Sequence, residues 1–411
     1  MTRNEFCLVA FRAAGALSEE LLNASIIVPV LLLQLGASMG SIGILNSFLA
    51  IAWMTQILGA WYVEGSSRKA KPVLILSAVA SLSFLLVALV LCLSPALTSP
   101  LAVPAVIACV AIRTISMALA NPAVLDLSFS LIDEQQRVRS FAWRNFVADL
   151  FGVLAALIVL LVLKYAGFPA AYVLLSILAA VAATLAGVAI MFLVEEPVAR
   201  MPRRQNLLVF LRSSLEMLIP GSGGIQESGF RKYILIRHVV LMSRGAFPFA
   251  AAYAVTSIDM DVSLVGGFIF AAGIGRVVMS ALLNLISRRI SGAHIVMQLG
   301  LLLALGSIIS LVAVPHPVTA FISFFLQGCF MACMLTADPI LMLTYSPPDR
   351  KVRGPSLAML ACHPASIVWG LVSALIVEQS GFGVLSAIAA AFSVLGLIFA
   401  IPLRGRPKEA L

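Results

Sequence analysis

The chain has 411 residues, 61% of them hydrophobic and only 11% charged, where soluble domains carry about 25% charge. With a mean hydropathy of +1.07, this excludes a water-soluble globular protein and points to an all-α, multi-pass membrane protein. The net charge of +9 reads as positives that set topology in short loops, not as a nucleic-acid surface.

A helix needs about 20 residues to cross the hydrocarbon. Twelve apolar segments meet that length: 12–35, 41–63, 72–93, 101–123, 141–164, 168–193, 233–257, 262–286, 292–314, 317–342, 354–377 and 381–402. The N-terminus enters the first without a small-residue cleavage site, so no signal peptide is expected. That first segment, RAAGALSEELLNASIIVPVLLLQLG (12–36), carries Glu19, Glu20 and Asn23 beside a wholly apolar run. With its outer end at Leu35–Gly36, both carboxylates lie inside the hydrocarbon. A carboxylate there must be paired, hydrated or protonated. Glu19 and Glu20 point about 100° apart, so only one is expected to face a central cavity. Glu20 shares a face with Asn23 and is preferred.

Basic residues alternate with bare loops along the chain. One set holds Arg68, Lys69 and Lys71; Arg137 and Arg139; the 194–232 stretch; Arg288 and Arg289; Arg350, Lys351 and Arg353; and the tail. The positive-inside rule places both termini and the long loop in the cytoplasm, in a bacterial inner membrane. The long loop divides the chain into residues 1–193, a linker 194–232, and residues 233–411. Its run NLLVFLRSSLEMLI is expected to form a short amphipathic helix on the membrane surface. GSGG (221–224) is a hinge, since no strand precedes it and no Lys-Ser/Thr follows; no ATP-binding motif occurs. The fourth span ends Asn121-Pro122 and the tenth Asp338-Pro339, each followed by a basic loop. This echo suggests two pseudo-symmetric six-helix halves.

Five of the six cysteines sit in apolar runs, and Cys329 and Cys333 are one turn apart. No His or carboxylate accompanies that pair, so no metal or other cofactor is expected.

The loop GAWYVEGSSRK (59–69) resembles the signature loop of the major facilitator superfamily. Gly59, Arg68 and Lys69 fit it and Glu64 stands for its acid, whereas Gly65 and Ser67 depart from it. The resemblance extends over the chain through the twelve spans, the long middle loop and the basic loop 4–5, and it is specific only to the superfamily. It implies a secondary transporter, not an enzyme, with spans 1, 4, 7 and 10 lining a central cavity. It also implies a cytoplasmic gate, for which Gly59, Glu64, Arg68, Lys69, Arg137, Arg139 and Asp338 are candidates. Glu64 is expected to pair with Arg137 or Arg139; the alternative is that the basic residues only anchor topology.

Arg113, in the middle of the fourth span, matches an arginine common in proton-linked members of that superfamily. Its expected partners are Glu19, Glu20 or Asp149; a permanent structural ion pair is the alternative. In the second half, Arg244, Arg276, Gln327 and His363 lie within spans, with Asp338 the nearest acid. Two unmatched arginines would grip a carboxylate or phosphate bidentately. Alternatively Arg244 pairs with Asp338 and Arg276 snorkels. His363 either titrates near neutral pH or is hydrogen-bonded at a kink before Pro364.

These residues suggest a monomeric, proton-coupled carrier of a small organic anion, whose partners are solute, protons and the bilayer. Proton-coupling candidates are Glu19, Glu20, Arg113, Asp149 and His363. Solute-binding candidates are Asn23, Arg113, Arg244, Arg276 and Gln327. The alternatives are an uncoupled facilitator of a neutral or amphipathic solute, and a lipid-modifying enzyme using His363 and Asp338. The dispersal of the charges over both halves disfavours the enzyme.

Overall fold

The computed structural model describes residues 2–64, 66, 68–93, 99–131, 137–195, 206–216, 227–258, 260–286, 293–345 and 353–400. Among these, every regular element is a helix. The first six spans are α1 (Arg3–Leu21) with α2 (Ile27–Gln34), α3 (Met39–Met54) with α4 (Gln56–Glu64), α5 (Ala70–Leu93), α6 (Ser99–Ser130), α7 (Arg137–Tyr165) and α8 (Ala170–Met191). A short helix, α9 (Leu207–Glu216), follows. The second six are α10 (Glu227–Ser243) with α11 (Phe247–Ser257), α12 (Val265–Ile286), α13 (Ala293–Ala313), α14 (Pro317–Tyr345), α15 (Arg353–Ser380) and α16 (Phe382–Ala400).

Among the described residues, eleven stretches are long and apolar enough to cross a membrane. The first expected span differs, because it is two helices and not one. Asn23 causes the break. Its side-chain oxygen accepts the Ser25 N–H at 2.9 Å, and its carbonyl accepts the N–H groups of Ile26, Ile27 and Val28. A short amide that offers the backbone such a turn competes with the helix. The seventh span breaks at the corresponding place, where Arg244–Ala246 form a 3-10 turn between α10 and α11. Pro248 has no N–H to give the Arg244 carbonyl, so the α-helical ladder cannot continue there. Prolines elsewhere do not end helices. α6 runs through Pro122 and α14 through Pro339, past the ends expected from sequence; packed neighbours in a bundle tolerate the missing bond.

The packing pairs repeat between the two sets of six. In the first set α5 packs on α6 and α8, α1 on α7 and α8, and α3–α4 on α6. In the second set α13 packs on α14 and α16, α10 on α15 and α16, and α12 on α14. Side chains such as Leu82, Leu89, Leu161, Leu185, Leu302 and Leu375 point outward, as a surface facing lipid requires.

The sets meet along two seams, α3 with α15 and α7 with α12, and where α2 touches α11. At the end away from the basic loops the contact is backbone to backbone. A Cβ on Gly266 would collide with the Leu160 backbone, and one on Gly43 with Ala374 and the Gly370 carbonyl. The Ser47 hydroxyl donates to the Ile367 carbonyl at 2.8 Å, and the Gly40 N–H to Glu378 at 2.6 Å. Small residues allow helices this close approach.

The linker helix forms where the amphipathic run predicts it. Its Phe210 is buried against Ile57 and Ala60, so this face docks on protein. Leu208, Val209 and Leu215 remain exposed.

Gly266→Leu should wedge α12 from α7. Spin labels at Tyr165 and Leu264 should then report a separation several ångströms longer than in the parent protein. An unchanged distance distribution would show that this contact does not hold the end closed.

Candidate functional site

The two broken spans present the polar residues. Glu19 and Glu20 sit in the last turn of α1, just before the Asn23 break. The Asn23 amide donates to Glu20 Oε2 at 2.8 Å, so the two do share a face. Glu20 is only 5% exposed. Arg276 reaches it from α12, in the other set, with Nη1 2.5 Å from Oε1. The Arg276 Nε lies 3.8 Å from Asp149 Oδ1 on α7, and the Ser280 hydroxyl donates to Asp149 Oδ2 at 3.4 Å. Gly152 leaves the guanidinium its room, since a Cβ there would stand 3.0 Å from Nη2. Arg276 is therefore not an unmatched cation, as the sequence had suggested. It bridges two acids across the seam.

Glu19 points elsewhere, and its side chain is 46% exposed. Arg113 Nη2 lies 3.9 Å from Glu19 Oε1, beyond hydrogen-bond range. Arg113 is 6% exposed and stacks over Phe84 at 5.3 Å. Of its three expected partners, Glu19 is the one beside it; Glu20 and Asp149 are engaged by Arg276.

In the second set, Asp338 is bound by Arg237, not by Arg244. The Arg237 Nη2 is 3.1 Å from Oδ2, and the Tyr233 hydroxyl donates to Oδ1. Arg237 also lies against the sulfurs of Met342 and Met359, at 3.6 and 3.2 Å. Arg244 is half-buried at its 3-10 turn. Its guanidinium makes no hydrogen bond or ion pair among the described residues. His363 is buried, with Nδ1 2.8 Å from the Met359 carbonyl, and α15 continues through Pro364. Gln327 is buried on α14.

At the basic-loop end, Glu64 pairs with Arg353 across the two sets. Arg353 Nε and Nη2 each lie 2.5 Å from a Glu64 oxygen, a bidentate fork. The Arg353 guanidinium also stacks on Phe210 of α9 at 4.4 Å and approaches Ser213 at 3.4 Å. The expected partners Arg137 and Arg139 have side chains outside the described residues. Lys69 pairs with Asp126 on α6. Its N–H and that of Ala70 are accepted by Glu195, which caps α5. Arg68 is exposed. Gly59 lies so close to the Leu119 carbonyl of α6 that a Cβ would not fit. No group of three His, Cys, Asp or Glu suited to a metal occurs among the described residues.

Sequence reading passed over Arg12, Arg144, Tyr233 and Arg237, and took Arg353 for a topology anchor. One signal was available: Arg237 and Arg244 are seven residues apart, two helical turns on one face. The cross-set pairs left no signal, because they join residues hundreds of positions apart.

No family model matches the chain, and no curated protein sequence matches it. Solved structures do. A peptide transporter POT bound to sulfate superposes with a TM-score of 0.74 at 16% identity, over 98% of this chain and 95% of that one. A mutant of the nucleoside transporter NupG gives 0.69 at 16% identity, over 98% and 100%. A D-xylose-proton symporter gives 0.69 at 14% identity, over 97% of each chain. At these identities the likeness is one of fold, and the fold is that of the major facilitator transporters.

Arg276→Met strands two carboxylates at the seam, and losing one partner of a buried pair costs about 3–5 kcal/mol. Thermal unfolding in detergent should show that loss, and adding Glu20→Gln should restore part of it. Strictly additive effects in the double-mutant cycle would mean the two side chains are not coupled.

Proposed function

We propose that this protein is a secondary transporter, which moves a small anionic solute by rocking two six-span bodies about their seam. The bodies are residues 1–193 and 233–411, joined by the linker 194–232, and the protein acts as a monomer. It lies in a bacterial inner membrane with both termini in the cytoplasm. The observation that carries this reading is the Glu20–Arg276–Asp149 bridge. It joins the bodies in the middle of their spans, where a change in one charge alters the bond between them.

A proton on Glu20 removes one of the two carboxylates facing Arg276 and weakens the bridge. The solute bears on the same joint. The half-buried guanidinium of Arg244, at the break in span 7, offers bidentate donors to a carboxylate or phosphate. Broken helices at corresponding places in two repeats are where carriers of this architecture bind their cargo. The structural neighbours handle peptides, a nucleoside and a sugar, so the anionic class rests on this chain's own arginines. The chemistry is binding and release, with no bond made in the solute.

One observation favours a second reading. Glu20 is already paired at 2.5 Å and hydrogen-bonded by Asn23, which suits a permanent brace in an uncoupled facilitator.

Proteoliposomes under an imposed pH gradient separate the two. Replacing Glu19 and Glu20 together by glutamine should abolish gradient-driven accumulation while counterflow exchange continues. Accumulation that survives the double substitution overturns coupling through these acids. The solute class is tested by thermal stabilisation against organic acids, phosphorylated compounds, sugars, amino acids and lipophilic cations. An acid or phosphorylated compound should stabilise the parent protein but not Arg244→Gln. Stabilisation by neutral or cationic solutes alone would overturn the anionic assignment.

A further inference from the structure

Trp369 on α15 meets span 7 at its break. The Met242 carbonyl lies in the last turn of α10, just before the 3-10 turn Arg244–Ala246. Carbonyls in the last turn of an α-helix run short of N–H partners in their own helix. The Trp369 indole N–H donates to this one at 3.1 Å. Among the described residues, this is the one side-chain hydrogen bond that reaches residues 242–246 from another helix. The same ring lies against Gly245. A Cβ there would overlap the indole nitrogen and the carbons beside it, so only glycine leaves the ring its place.

The indole projects from a fixed support. It meets the Phe392 ring of α16 edge to face, with centroids 5.4 Å apart. The Ser373 hydroxyl donates to the Trp369 carbonyl at 2.6 Å. The next residue, Gly370, faces the other set of spans: a Cβ on it would stand 2.6 Å from the Ser47 hydroxyl of α3, and that hydroxyl donates to the Ile367 carbonyl at 2.8 Å. At this level α15 is therefore held from two sides. A tryptophan side chain has only two rotatable bonds, so it carries that rigidity to the turn of span 7.

The consequence falls on Arg244. A 3-10 turn has three residues per turn, so its neighbours leave the axis about 120° apart. With Gly245 against the indole, Arg244 is turned away from it. Pro248 cannot give the Arg244 carbonyl an α-helical bond, and that carbonyl accepts the Phe247 N–H instead. Span 7 is thus least constrained by its own ladder at the place where Trp369 grips it. We propose that Trp369 is the positioning residue of this turn, and that its indole sets the direction in which span 7 presents the Arg244 guanidinium. The bearing of this on transport rests on the reading of Arg244 as a solute-binding group; the positioning itself does not.

The test uses the full chain in detergent and reads Arg244 without any solute. Phenylglyoxal modifies accessible guanidiniums, and peptide mass spectrometry gives the rate at each arginine. Trp369→Phe keeps a ring and drops the N–H; Gly245→Ala drives a methyl into the indole. Each should raise the Arg244 rate several-fold and leave exposed Arg212 and buried Arg276 at their parental rates. Gly245→Ala should add nothing to Trp369→Leu, whose shorter side chain leaves the methyl room. A parental Arg244 rate in both single variants overturns the proposal, even with a lower unfolding temperature, because a residue that only packs would lower stability without turning Arg244. A rise shared by Arg276 is general loosening and overturns it too, as does a further rise when Gly245→Ala is added to Trp369→Leu. An organic acid or phosphorylated compound that stabilises the parent protein then tests the link to transport. Trp369→Phe should weaken its apparent affinity about fivefold. A raised Arg244 rate with unchanged affinity leaves the positioning standing and removes Arg244 from the solute site. If no such compound stabilises the parent protein, the solute reading fails, and the modification rates still decide the role of Trp369.

Discussion

A charge inside a membrane must find its partner within the protein, and Arg276 finds two. Its guanidinium ties Glu20 on α1 and Asp149 on α7 to α12. Much of the surrounding sequence follows from that. Asn23 breaks the span where Glu20 must stop and holds the carboxylate by its amide. Gly152 makes room for the guanidinium. Gly273 lets α12 lie against Val153, where a Cβ would come within 3.1 Å. Removing a single member of this group would leave a buried charge unanswered, which is more costly than never having placed the group there.

The two ends of the seam are closed by different physics. At the end away from the basic loops, glycine lets backbone meet backbone at Gly266 and Gly43. Such contacts are short-ranged and depend on shape. At the basic-loop end one bidentate pair, Glu64 with Arg353, spans the gap, with α9 under it through Phe210. Arg353 is itself buried there, while Glu64 is about one-third exposed, so this end is held by a directional charge pair and not by backbone contact. The linker thus touches the joint it connects. That gives the middle of the chain a part in the geometry as well as in the connectivity.

The arginines inside the spans differ in what answers them. Arg237 and Arg276 have carboxylates in contact; Arg113 has one only at 3.9 Å; Arg12 and Arg244 have none in contact among the described residues. Among the described residues, then, the arginines of the interior are answered unequally. Asp338, placed beside Arg244 by sequence reasoning, is instead saturated by Arg237 and Tyr233, and this leaves Arg244 open.

Composition, hydropathy and loop charge were enough to determine the class, the approximate place of most spans and the likeness to the major facilitator architecture. These properties repeat every 20 to 30 residues and survive the loss of any one of them. The mid-span charges were also legible one by one, because an ionised group in an apolar run stands out. Their partners were not. Which acid meets Arg276, and which base meets Glu64, depends on how helices far apart in sequence turn toward one another. The hydrophobic pattern does not encode that rotation, because a span in a bundle is apolar on its lipid face and largely apolar on its packed face. The breaks at Asn23 and Arg244 were equally hidden, since each needed backbone geometry to show that an Asx turn or a missing proline N–H had beaten the helix. Sequence alone therefore determined what kind of protein this is and which residues carry charge into the membrane. The tertiary structure alone decided which of those charges meet each other, because that depends on how distant helices are turned.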